Sequence, residues 1–109
     1  MGILDTFLDT FRTPDPKKVM ERIVAQIKEH QATKAELLKQ RRKLELTIFQ
    51  LNNRIINIKR RNPSLLAEIR TLSGQKTDLE YQDLEAKTAI EKLDREIARL
   101  SLRYRQLAA

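Results

Sequence analysis

Two apolar stripes with alternating three- and four-residue spacing run along this chain, and a single Asn-Pro step separates them. The first is Met20, Ile23, Ile27, His30, Lys34, Leu37, Arg41, Leu44, Ile48, Leu51, Ile55 and Ile58, of which nine of twelve are apolar. The second is Leu65, Ile69, Leu72, Lys76, Leu79, Asp83, Ala86, Ile90, Leu93, Ile97, Leu100, Tyr104 and Leu107, with eleven of thirteen apolar or aromatic. Such a period keeps one face of a helix against a partner over many turns, which is the pattern of a coiled coil. Val24, Leu38 and Phe49 widen the first stripe, and Phe49 reads as core-facing.

The breaks define the ends. Asp15-Pro16 reads as an N-cap followed by proline at the first helical position, and Asn62-Pro63-Ser64 ends that helix and opens the next. The expected helices span about 15–61 and 63–107, joined by a turn at 62–64. At 1.5 Å per residue each is about 70 Å long. Equal lengths about one tight turn predict an antiparallel helical hairpin, domain 14–109. A turn centred on Asn62 sets Arg41 opposite Asp83, two polar exceptions of opposite charge, as a register pair. His30 and Lys34 fall near the open end, partly solvated or against a neighbouring chain. Ser73-Gly74 is the weak point of the second helix, because glycine inside a helix costs about 1 kcal/mol.

A further segment, 1–13, carries Ile3, Leu4, Phe7, Leu8 and Phe11 at helical spacing, with Asp5, Thr6, Asp9, Thr10 and Arg12 on the other face. Thr13-Pro14 closes it. A helix this short must bury its apolar face in something. A membrane surface and a docking site on a hairpin are the two candidates. The opening Met1-Gly2-Ile3-Leu4-Asp5-Thr6 also matches the loose N-myristoylation pattern.

The charge is uneven. The chain carries +7 at pH 7. Residues 15–62 hold thirteen basic and five acidic side chains, whereas 63–109 hold eight of each. A basic helix attracts anionic lipid or phosphate backbones, and Lys39, Arg42, Lys43, Arg54, Lys59, Arg60 and Arg61 are its expected basic surface. The balanced second helix suits pairing with copies of the chain. Phe49 is the one aromatic of the basic helix, so base stacking has little to work with and nucleic acid is the weaker partner.

Composition narrows the chemistry. There is no cysteine, one histidine and two glycines, Gly2 and Gly74. A thiolate metal site, a histidine pair and a glycine-rich phosphate loop are therefore excluded within one chain, and the expectation is a non-enzyme without cofactor or metal. No apolar run reaches the roughly 20 residues of a membrane-spanning helix, and the start lacks the pattern of a signal peptide. A cytoplasmic protein, peripheral on membrane, is expected.

The opening Met1-Gly2-Ile3-Leu4-Asp5-Thr6-Phe7, the amphipathic segment, and Asp15-Pro16-Lys17-Lys18-Val19-Met20 before a long charged hairpin resemble the ESCRT-III superfamily. The branch resembled is that of phage-shock protein A and the vesicle-inducing protein in plastids. Sequence-level likeness covers about the first 25 residues and the likeness of architecture covers the whole chain. It implies a membrane-remodelling protein that polymerises, here as a minimal version assembling through hairpin faces. Ile3, Leu4, Phe7, Leu8 and Phe11 would insert in lipid, with Arg41 joining the basic residues in electrostatic contact. The alternatives from the residues themselves are a structural coiled-coil adaptor or virion scaffold without membrane role, and a basic coiled coil on nucleic acid.

Overall fold

The computed structural model describes residues 15–109. Two helices make up the described fold: α1, Pro16–Arg61, and α2, Leu66–Ala108. They lie against one another as a hairpin, with a radius of gyration of 24.5 Å. A compact chain of 100 residues has about 13 Å. The short amphipathic helix expected over 1–13 lies outside the described residues.

Local chemistry sets each end. The Asp15 carboxylate accepts from the Lys17 N–H at 3.1 Å, and Pro16 takes the first helical position, where its missing donor costs nothing. At the far end Lys59, Arg60 and Arg61 occupy the last turn of α1, where positive charge complements the helix dipole. The Asn62 N–H closes that turn on the Ile58 carbonyl at 2.8 Å.

The second helix begins at Leu66, three residues later than the sequence suggests. Pro63 is used differently. The Leu65 N–H donates to the Asn62 carbonyl at 3.1 Å, making a β-turn with Pro63 at its second position. The Ser64 hydroxyl donates to the Asn62 side-chain oxygen at 2.5 Å. A proline φ near −65° serves a turn as well as a first helical position, and the Asn62 bonds select the turn. Beyond it α2 is continuous through Ser73-Gly74.

Every position of the first stripe is buried or half-buried, and so is every position of the second except Leu65 in the turn. The fully buried side chains among the described residues are Ile23, Ile55, Leu72, Ala86, Ile90 and Leu100. Ile23 and Leu100 lie toward the open end and Ile55 and Leu72 toward the turn, while Ala86 and Ile90 lie at mid-length of α2. Residues 41–52 of α1 and 76–83 of α2 contain no buried side chain.

Candidate functional site

Three surfaces come out of this arrangement: a polar layer between the helices, a basic ridge on the back of α1, and two unlike flanks.

The polar layer occupies the centre. Arg41 Nε donates to Asp83 Oδ1 at 2.9 Å, and a second nitrogen reaches Oδ2 at 3.3 Å. Arg41 also reaches Glu45 at 3.3 Å. The hydrogen bond from Arg41 to Asp83, helped by both carboxylate charges, raises the guanidinium pKa further. Two to three turns nearer the loop, Lys76 Nζ donates to Asn52 Oδ1 at 2.9 Å. Toward the open end Lys34 meets Asp94 at 2.6 Å, and His30 is half-buried. Nearby, hydrogen bonds from Arg99 hold the Glu96 carboxyl below its usual range, with a smaller contribution from the His30 charge. These contacts tie the two helices in one register, since a slip of one turn would separate each polar group from its partner.

Lys39, Arg42, Lys43, Arg54, Lys59, Arg60 and Arg61 are all exposed. Lys39, Arg42 and Lys43 stand at helical spacing on the side of α1 away from α2, so they form one outward ridge. None of the three has an acidic partner among the described residues, and the same holds for the Lys59-Arg60-Arg61 cluster. Arg54 differs, because it reaches Glu68 of α2 at 3.5 Å. Arg41, implied by the resemblance as part of this surface, points instead into the helix interface and is spent on Asp83. Ile3, Leu4, Phe7, Leu8 and Phe11, expected from the sequence to contact membrane, lie outside the described residues.

Phe49 is not core-facing. It is 62% exposed, and Val24 and Leu38 sit at the margin of exposure. The stripe is narrow because two helices alone cover only a seam; positions one step off it meet solvent. This exposes a pattern the sequence carried but the stripe concealed. A shallow groove on one flank is lined by Glu45, Phe49 and Asn52 of α1 with Lys76 and Glu80 of α2. An adjoining groove adds Tyr81 and Leu84. Leu66, Phe49, Ile56 and Leu84 are exposed on this side of the seam. The opposite flank is the one bridged by Arg54 and Glu68. Stepping by fours and threes along it from Arg22 through Gln26, Gln40 and Arg54 to Arg61, α1 has no apolar residue. From Glu68 to Gln106 the same steps along α2 meet only Ala89.

No helix among the described residues is long and apolar enough to cross a membrane. No protein-family model, curated protein or solved structure matches this chain.

Proposed function

We propose that this is a membrane-binding, self-assembling hairpin protein of the ESCRT-III type, which remodels or stabilises anionic membranes by polymerising. The observation that carries this reading is the outward ridge Lys39-Arg42-Lys43 on a helix of thirteen basic and four acidic residues, beside a second helix with eight of each. Solvated charge on a coiled coil is ordinarily mixed in sign. Here one helix has the excess and the ridge lacks acidic partners among the described residues. Each basic side chain close to an anionic bilayer contributes about 1 kcal/mol, so a ridge of three acts additively at low salt. The apolar face of residues 3–11 supplies insertion, and the hairpin supplies a rigid repeating unit.

The test is co-sedimentation of the full chain with anionic and with neutral vesicles, with negative-stain imaging. Wild type is expected to sediment with the anionic vesicles only and to form filaments or tubules on them. Phe7→Asp with Phe11→Asp, or Lys39→Gln, Arg42→Gln and Lys43→Gln together, is expected to release it while helicity persists. Wild-type-like sedimentation of both variants, or none by wild type, rejects the proposal.

One observation favours a second reading. Phe49 stands exposed on the basic helix, which returns an aromatic to a surface able to hold a phosphate backbone. A mobility shift with single-stranded nucleic acid, steeply weakened by salt and lost in Phe49→Ala, would support nucleic-acid binding over membrane binding.

A further inference from the structure

The central stretch of the hairpin places polar contacts among the half-buried Leu44, Ile48, Leu51 and Leu79 of its seam. Between the helices it holds Arg41, Asp83, Asn52 and Lys76, whereas outside it presents Leu46, Phe49, Tyr81 and Leu84, which are 57–66% exposed. The flank carrying Phe49 and Leu84 is the apolar one along much of the rod, and the Arg54 flank is polar throughout. An isolated two-helix hairpin has no reason to gather Phe49, Ile56, Leu66 and Leu84 on one flank and none on the other. A hairpin that stacks on another does, because stacking converts two open seams into a four-helix core.

We infer that this flank is a self-association face, and that its occupant is the same flank of a second copy of the chain, with α1 of one copy lying across α2 of the other. Charge selects this pairing. Between residues 28 and 45 the flank of α1 presents Lys28 and Arg42 with Glu45, and between 80 and 94 that of α2 presents Glu80, Lys87, Glu91 and Asp94, the last also bound to Lys34 of its own chain. Setting α1 over α1 opposes like charges; setting α1 over α2 of the copy opposes unlike ones. A two-fold axis along the rod produces the second arrangement, makes every neighbouring helix antiparallel and uses one self-complementary patch.

A single helix over residues 1–14 would be too short to reach this place. Fourteen helical residues span about 21 Å, and Leu38 stands about 35 Å along α1 from Asp15. Covering the face also encloses the Arg41–Asp83 and Lys76–Asn52 contacts, which strengthens each of them in the lower dielectric.

This face concerns association in solution and stands without the membrane reading, although a polymer on lipid would use it. The test is the molar mass of the full chain by light scattering and analytical ultracentrifugation, over a concentration series and without lipid. Wild type is expected at twice 12.8 kDa. Phe49→Glu with Leu84→Glu is expected to be a monomer of unchanged helical content, since neither side chain supports the hairpin itself. Gln40→Glu with Gln82→Glu, on the polar flank, is expected to keep the dimer. A monomeric wild type at 0.1 mM overturns the inference, as does a dimer that survives Phe49→Glu with Leu84→Glu. Loss of the dimer on removing residues 1–14, with the flank variant still dimeric, would assign the contact to that segment instead. Vesicle release by the flank variant with its oligomeric state unchanged would assign the face to lipid.

Discussion

The ends of this hairpin and its centre solve the same problem in opposite ways. At the open end Ile23 and Leu100, each 2% exposed, close the seam with apolar contact, and Ile55 with Leu72 does so near the turn. In the centre the seam joins a bidentate Arg41–Asp83 pair and a Lys76–Asn52 hydrogen bond to the half-buried Leu44, Ile48, Leu51 and Leu79, while Phe49 and Tyr81 face outward. Apolar contact is strong but indifferent to register, because one Leu or Ile meets another equally well a turn away. A charged, directional pair is weaker in net terms yet fits one alignment. The fully buried apolar contacts therefore supply most of the stability and the polar pairs supply the alignment.

Three sets of substitutions sharpen that division. The largest effect belongs to the ends. Leu100→Ala is expected to cost about 2–5 kcal/mol by lost transfer energy and the cavity it leaves. Ile48→Ala, in the half-buried centre, is expected to cost about 1 kcal/mol, in proportion to the area it still exposes. Urea unfolding at a concentration where the chain is monomeric gives both values. Equal costs would break the comparison.

Next in size is the central pair. Arg41→Leu alone leaves Asp83 without its partner and is expected to lower the melting temperature by less than Leu100→Ala does. Adding Asp83→Leu is expected to restore most of the loss, since an apolar pair of similar size replaces an ionic one at little net cost. What the double variant loses is alignment. Disulfide trapping between cysteines placed at matched and at one-turn-shifted positions across the seam should then find both registers, where the wild-type background gives only one.

The smallest effect is a gain. Gly74 sits at the edge of the central stretch, within α2, without positive φ, and a methyl group there meets nothing within 4 Å. Gly74→Ala is expected to raise stability by about 0.5–1 kcal/mol by restricting the unfolded chain and improving helix propensity. A loss, in the same urea experiment, would mean that the flexibility of the centre matters to the fold.

Much of this was legible in the residues. The seam positions, the Asp15-Pro16 cap and the reversal at Asn62 follow from periods and caps that act within a few residues. The charge excess of α1 is likewise a property of the chain as written. The polar flank running from Arg22 to Arg61 was also present in the sequence, but a search for apolar stripes passes over a line defined by what it lacks.

The sequence by itself determined two long helices, their boundary and the line along which they meet, because helix formation and amphipathicity are local. Only the tertiary structure decided three further matters. Pro63 became the second residue of a turn rather than the first of a helix, since the Asn62 carbonyl and side chain were there to bind Leu65 and Ser64. Lys76 took Asn52 as its partner across the seam, because that amide came within hydrogen-bond reach from the other helix of the hairpin. Phe49 was left outside, because a two-helix seam is too narrow to cover a side chain one step beyond it. The turn at Pro63 rests on neighbours in the chain, whereas the other two outcomes depend on which distant group stands opposite, a property of the assembled pair of helices.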